Sequence, residues 1–296
     1  MPEIPPSPRR LAFLGTPDVA AGTLRALVAA GFDVPIVITR ADKRRSRGGA
    51  GEASPVKVAA LDLGIPVTSK VDDVLDAGVD LGVVVAFGQL IKPHVLDVVP
   101  MVNVHFSLLP RWRGAAPVER AILAGDAETG VCIMRLEEGL DTGPVFVCER
   151  VPIGPRATTD SLRRELADVG TRLLLDQLRG GVSTPIPQSG EPTYAAKIES
   201  SDLEIDWRRS AGEVDRVVRA GRAWTTFRGA RLLVLDGEPV AAPSGSGDPG
   251  ALTGIDVATG NGAFTLITVQ PEGRRAIVAS SWVNGARVAP GELLGS

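Results

Sequence analysis

Asn103 and His105 stand two apart in the run MVNVHF, an amide and an imidazole where a buried strand should hold neither. If Val102 to Phe106 is a strand, alternation projects both side chains from one face. Side by side, an amide can donate N–H to a developing negative charge while an imidazole donates or carries a proton. The run exits at once into SLLPRWRG, where Pro110 and Gly114 end regular structure. An open α/β sheet places its chemistry at such strand ends. A hydrogen-bonded Asn–His pair inside a core would leave the same pattern, because a buried polar group needs a partner and not a substrate. Asp141 lies in EEGLDTG between Gly139 and Gly143, a turn that presents a carboxylate on tight backbone or spends it on a local Asx bond.

The elements that must position these side chains read as α/β. Leu11 to Gly15 is a short buried strand, and Thr16-Pro17-Asp18 turns it into an amphipathic helix ending near Gly31. Val34 to Arg40 is the next strand, so the chain opens β-α-β. Its first turn has one glycine where a dinucleotide fingerprint needs three, which argues against a nicotinamide cofactor. Ser54-Pro55 is the cap and first position of a helix to Gly64. Ile65 to Thr68 and Leu81 to Phe87 are further strands, the latter so apolar through Val83, Val84 and Val85 that it should be central and parallel. Pro117 to Ala124 reads as helix, Val131 to Leu136 and Val145 to Ile153 as strands. Leu162, Leu166, Val169, Leu173 and Leu178 mark one face of a long helix stopped by Gly180-Gly181.

From Ser183 the composition turns to Ser, Thr, Pro and Gly without periodicity, as in a linker. Beyond it one helix near Gly212 to Ala220 precedes short alternating segments, Arg231 to Asp236, Ala263 to Gln270 and Ala276 to Ala279, the signature of a small barrel. The expected architecture is a Rossmann-like, mostly parallel N-terminal domain over residues 1–182, a linker over 183–206, and an OB-like C-terminal β-barrel domain over 207–296.

Composition bounds the function classes. With 44% hydrophobic and 23% charged residues, neither disorder nor a membrane protein is suggested. No apolar run reaches spanning length, and MPEIPPSPRR lacks the apolar centre of a signal peptide, so it reads as an extended leader on a cytoplasmic protein. Cys132 and Cys148, the two cysteines, fall in strand-like segments and are expected as core residues. His94 and His105 are the two histidines, too few for a zinc or iron site, and His94 is expected to be structural or solvent-facing. The net charge of −3 is unevenly spread. Arg40, Lys43, Arg44, Arg45, Arg47 and Lys57 crowd one glycine-containing stretch, whose segment 41–53 should be a mobile loop. Arg208, Arg209, Arg216, Arg219, Arg222, Arg228 and Arg231 crowd another. Each is a solvated face or a phosphate track.

The block NVHFSLLPRWRGAAPVERAILAGDAETGVCIMRLEEGLDTGPVF resembles the methionyl-tRNA formyltransferase family. FLGTPDVAA, SPVKVAA, VVVAFGQLIKP, TYAAKI, IDW and QPEGRRA extend the likeness along nearly the whole chain. The resemblance implies transfer of a formyl group from 10-formyltetrahydrofolate to the amino group of methionine on charged initiator tRNA. It implies Asn103, His105 and Asp141 as the catalytic positions, and a folate site lined by Phe87, Gly88, Gln89, Leu90, Ser107, Leu108, Leu109 and Pro110. It also implies Arg47, in a loop that closes on the tRNA acceptor end, and a C-terminal barrel that grips tRNA, where Arg219 and Arg222 are the expected contacts. Phe106 stands where many relatives carry glycine and is expected to narrow the approach to the site. No membrane and no obligatory protein partner are implied.

Those residues match the needs of formyl transfer. Asn103 can stabilise the oxyanion, His105 can donate to it or carry a proton, and Asp141 can orient the imidazole or move a proton through water. An amino sugar nucleotide or glycinamide ribonucleotide as acceptor would keep the same three residues, but the two basic stretches argue for tRNA. A non-enzymatic tRNA-binding protein would not need the three together.

Overall fold

A computed structural model describes residues 2–44, 51–240 and 247–295. The chain forms two compact units: Met1–Pro117, Glu128–Pro152 and Ser161–Ala196 make the first, and Val118–Ala127, Ile153–Asp160 and Lys197–Ser296 the second.

The first unit opens with β1 (Arg10–Gly15), α1 (Asp18–Ala29), β2 (Asp33–Ile38), a two-residue pair β3 (Lys43–Arg44) and β4 (Gly51–Glu52), α2 (Pro55–Asp62) and β5 (Val67–Thr68). Next come β6 (Leu81–Val85), α3 (Pro93–Leu96), β7 (Met101–His105) and β8 (Arg113–Gly114). After α4 (Pro117–Ala124), most of which belongs to the second unit, follow β9 (Glu128–Arg135), β10 (Val145–Pro152), α5 (Thr159–Gly180) and β11 (Tyr194–Ala195). The seven-stranded sheet has the order β10-β9-β7-β6-β1-β2-β5. From β5 to β7 the pairing is parallel, and β9 and β10 add an antiparallel edge.

The all-apolar β6 lies at the centre, between β1 and β7, with all five residues buried, as its composition requires. From β1 the chain runs outward to β2 and β5, then returns to the other side of β1 as β6 and β7. The strand order thus switches at the carboxyl ends of β1 and β6, where Thr16 donates its hydroxyl to the Phe87 carbonyl at 3.3 Å. On one face α5 packs Gly170 against Val104 and Val131, where an added Cβ would lie 2.5 Å and 3.0 Å from their methyls. Beside it, Thr23 of α1 and Thr171 of α5 share a 2.8 Å hydrogen bond. The other face, with Ala12, Leu14, Val84 and Met101, packs against Val95 and Leu96 of α3 and against Val74. Asn103 and His105 continue the row that Met101 begins. Phe106 is buried with its ring toward Gly170 on the opposite face, so it does not narrow the approach to Asn103 and His105.

Helix α2 starts as its sequence requires: the Ser54 hydroxyl accepts from the Lys57 N–H at 3.0 Å, with Pro55 in the first turn. Ahead of it, the ends of the segment expected to be irregular pair antiparallel, Lys43 with Glu52 and Arg44 with Gly51. Residues 45–50, including Arg47, lie outside the described residues.

The two cysteines are not both core residues. Cys132 is buried but Cys148 is exposed, and the two form a disulfide across β9 and β10. They are directly opposed in the antiparallel register with Cα atoms 4.2 Å apart, a pairing that a sequence separation of 16 does not reveal. The segment read as a linker does not run free along 183–206. Ile186 bridges Val145, β11 pairs in parallel with β8, and the chain through Ala196 belongs to the first unit.

In the second unit α6 (Ala211–Ala220) is followed by β12 (Ala223–Phe227), β13 (Ala230–Val240), β14 (Leu252–Thr253), β15 (Asp256–Ala258), β16 (Ala263–Pro271), β17 (Ile277–Val278) and α7 (Ala279–Ala286). The antiparallel order is β12-β13-β16-β15-β14, with β17 on β16. Leu293 bridges Ala251 beside β14 and Leu294 bridges Phe227 of β12, so the C-terminal segment joins the two ends of the sheet and closes the expected barrel. Trp207, Phe227, Val234, Phe264 and Trp282 fill its interior. Among the described residues no helix is long and apolar enough to cross a membrane.

Candidate active site

His105 ends β7 with 5% of its surface exposed. Its Nε2 lies 3.0 Å from the Trp112 carbonyl oxygen, and because a carbonyl only accepts, Nε2 carries the hydrogen. The neutral ring therefore keeps its lone pair on Nδ1. That nitrogen faces Asp141 Oδ2 at 3.7 Å, outside hydrogen-bond range, so a proton arriving on Nδ1 would point at a carboxylate. Asp141 is itself anchored: Oδ2 accepts from the Gly114 N–H at 2.7 Å, and the side chain is 11% exposed. Asn103 is half-buried, opposite Val84 on β6 and Met134 on β9, and among the described residues its amide has no hydrogen-bond partner. The residue opposite His105 on β9 is Cys132, on the same face of the sheet.

The loops around this pair are held in conformations that L-residues avoid. Ala86 after β6, Trp112 and Asp141 have φ of 46°, 59° and 50°, each costing on the order of 1–3 kcal/mol unless the surroundings enforce it. At Asp141 the enforcement is visible. A Cβ on Gly143 would run into the Arg135 carbonyl, so only glycine closes the turn there. Gln188 Nε2 then donates to the carbonyls of Asp141 and Gly143, both at 2.8 Å. At Trp112 the strap 188–195 does the same work: Trp112 N–H donates to Thr193 Oγ1 at 2.9 Å, Arg113 N–H to the Thr193 carbonyl at 2.8 Å, and Ala115 N–H to the Ala195 carbonyl at 2.9 Å.

The residues expected to line a folate site leave the carboxyl ends of the adjacent parallel strands β6 and β7. Phe87 is buried, Gly88 takes φ of 71°, and Gln89 and Leu90 are exposed, Leu90 by 81%. Ser107 is fully buried and donates its hydroxyl to the Arg111 carbonyl at 2.6 Å, so it shapes the turn rather than facing a ligand. Leu108 packs over Gly130, and Leu109 and Pro110 are half-buried with a cis peptide between them.

In the second unit the arginine-rich stretch is largely neutralised. Arg208 pairs with Asp206, Arg209 with Glu213 and Arg228 with Glu292. Arg219, 14% exposed, is committed to Asp215 at 2.6 Å and to the Ala157 carbonyl at 3.0 Å, a geometry that does not present it to phosphates. Arg222 is exposed, with no partner among the described residues. His94 is exposed and bonded to Asp72, outside this site. Among the described residues no three His, Cys, Asp or Glu side chains could hold a metal ion.

Sequence reasoning missed the Trp112 carbonyl, the Gly114 N–H and Gln188. The first two are backbone groups with no signature in residue type. Gln188 sits in a Pro/Ser/Gly stretch, where the nearby TYAAKI block was the one available signal.

Residues 9–178 match the family model described as formyl transferase, and residues 197–287 the formyl transferase C-terminal domain. The chain is similar to a methionyl-tRNA formyltransferase of Symbiobacterium thermophilum, 44% identical over 95% of this chain and 94% of that one. It is also similar to one of Heliobacterium modesticaldum, 40% identical over 97% of this chain and 100% of that one. Among solved structures it resembles HypX of Aquifex aeolicus in complex with tetrahydrofolic acid, with a TM-score of 0.70 at 17% identity over 96% of this chain. The chain spans 48% of that protein, and the likeness is one of fold.

Proposed function

The chain belongs to the methionyl-tRNA formyltransferase family, and we propose that it formylates the methionyl amino group of charged initiator tRNA through Asn103, His105 and Asp141. The donor is a folate-type formyl carrier, which we read as 10-formyltetrahydrofolate. One observation carries the assignment: a half-buried amide without a protein partner stands beside an imidazole whose free nitrogen faces a fixed carboxylate.

In this reading the methionyl nitrogen attacks the formyl carbon, a new C–N bond forms, and negative charge develops on the formyl oxygen. Asn103 donates its amide N–H to that oxygen. His105 cannot serve there as well, because its Nε2 hydrogen is spent on Trp112; Nδ1 instead takes the proton that the amine sheds. Asp141 faces the resulting charge. The proton then passes to the leaving nitrogen as the old C–N bond breaks, so no oxidant, metal or covalent enzyme intermediate is needed to balance the step.

The exposed Leu90 and the turns over 87–90 and 107–110 supply apolar surface and backbone groups at two neighbouring strand ends, which suits a flat heteroaromatic ring. We assign the unit that runs through Ala196 to donor binding and chemistry, and the unit that holds Lys197–Ser296 to tRNA. Arg222 and Arg47 are the proposed phosphate contacts. Arg219, held by Asp215 and the Ala157 carbonyl, is left out of the proposed contacts. The proposed setting is the cytoplasm, with no obligatory protein partner.

The test is a transfer assay with 10-formyltetrahydrofolate and three acceptors in parallel: charged initiator tRNA, charged elongator tRNA and a free amino sugar nucleotide. Formylation of the initiator alone is the expected result. Transfer to the amino sugar with none to tRNA would contradict the reading.

A further inference from the structure

We propose that Gln188 is a positioning residue that sets the placement of Asp141 against His105. The inference rests on the reading of Asp141 as the group that faces the protonated imidazole. Gln188 makes four hydrogen bonds with one amide. Nε2 donates to the Asp141 and Gly143 carbonyls, both at 2.8 Å, while Oε1 accepts from Arg113 Nη2 at 2.7 Å and Nε at 3.1 Å. Its orientation is unambiguous, because carbonyls only accept and a guanidinium only donates.

What those bonds join matters more than their number. Arg113 lies between Trp112, whose carbonyl fixes the His105 ring, and Gly114, whose N–H fixes Asp141 Oδ2. Gln188 therefore ties the strip 112–114 to the turn 141–143 that carries the carboxylate. Trp112 and Asp141 both hold left-handed φ values, which relax once the surroundings stop enforcing them. Without Gln188 two buried-side carbonyls lose their donor and the turn is free to relax, moving Asp141 relative to Nδ1. The half-buried Gln188 touches neither ring nor carboxylate itself, so its effect must pass through Asp141.

The experiment compares single-turnover formyl transfer at saturating donor and charged initiator tRNA for the full-length protein and four variants: Gln188→Glu, Gln188→Met, Asp141→Asn, and Gln188→Glu with Asp141→Asn. Gln188→Glu keeps an acceptor for Arg113 but loses both donors, and Gln188→Met removes both ends at similar volume should the carboxylate disturb folding. Each Gln188 variant is expected to slow the step roughly ten- to a hundredfold, the scale on which misplacing a reacting group registers, with tRNA affinity unchanged. The double variant is expected to be no slower than Asp141→Asn alone, because partners acting through one group are not additive. A Gln188→Glu rate near wild type beside a slow Gln188→Met would assign the role to Arg113 and overturn the proposal. So would a double-variant loss equal to the product of the single losses. If Asp141→Asn alone transfers normally, the reading of Asp141 fails first and the proposal falls with it, a result distinct from either of the others.

Discussion

A histidine whose Nε2 is committed to a carbonyl has one nitrogen left for chemistry, and at His105 that nitrogen faces Asp141. The division of labour predicted from this is sharper than the three residue types suggest. Asn103→Ala should lower the single-turnover rate by about 10²–10³, the loss seen when an oxyanion donor is removed, with donor affinity within a fewfold of wild type. His105→Gln keeps a donor for Trp112 but no nitrogen that can take a proton, so it should be as slow as His105→Ala while remaining as stable as the native protein. Asp141→Asn preserves an acceptor for Gly114 and removes the charge; its loss should appear in rate and not in donor binding. Equilibrium donor binding measured beside rapid-quench transfer checks all three. Spacing alone singled out Asn103 and His105 as a polar pair on one face of an apolar strand and left a hydrogen-bonded core pair open; the proposed catalytic role came from the resemblance. From its own residues Asp141 was legible as a turn carboxylate and from the resemblance as a partner of the imidazole, whereas its placement 3.7 Å from Nδ1 and its anchor on the Gly114 N–H needed the fold.

At the scale of elements, local signals that carry a mechanism proved reliable. Ser54-Pro55 began α2, and the Ser54 hydroxyl is buried and also bonded to Thr39 at 2.8 Å. Ser54→Ala should therefore cost about 1–2 kcal/mol in urea unfolding through the lost cap. In α6 a reciprocal capping box joins Ser210 and Glu213. Hydrogen bonds from the Ser210 hydroxyl, then the Ser210 N–H and then Arg209, bring the Glu213 carboxyl from 4.5 down to about 2. Because the folded value lies below the unfolded one, this stabilisation is complete above pH 4.5 and fades as pH falls toward about 2. The stability advantage of the native protein over Glu213→Gln should shrink across that window in acid titrations; a constant difference would contradict it. Elements without local signals were missed. α7 starts after Val278 with no side-chain cap and is held by Trp282, whose ring meets Phe227 edge-on at 5.0 Å. β11 is two residues long and exists because β8 is there to pair with it, so the composition of 183–196 read as a linker.

Over the whole molecule, charge is the property the sequence misrepresents most. Of the seven arginines between 206 and 231, Arg208, Arg209, Arg219 and Arg228 pair with Asp206, Glu213, Asp215 and Glu292. tRNA affinity should still fall with salt, but less steeply than seven free cations would give. Arg222→Ala should reduce the slope of log affinity against log salt by about 1, as expected for one phosphate contact. Arg219→Ala should leave that slope unchanged and lower the melting temperature, because it strands the buried Asp215. Filter binding across a salt series separates the two. Direct transfer through Asn103 without an enzyme-bound intermediate can be followed by rapid-quench single-turnover transfer from 10-formyltetrahydrofolate to charged initiator tRNA, comparing the native protein with Asn103→Ala at saturating concentrations. Formylmethionyl-tRNA should appear in one phase with no formylated protein in the native enzyme, and the rate should be lower by about 10²–10³ in the variant. A variant rate within a fewfold of native, or label transferred first to the protein, would contradict it.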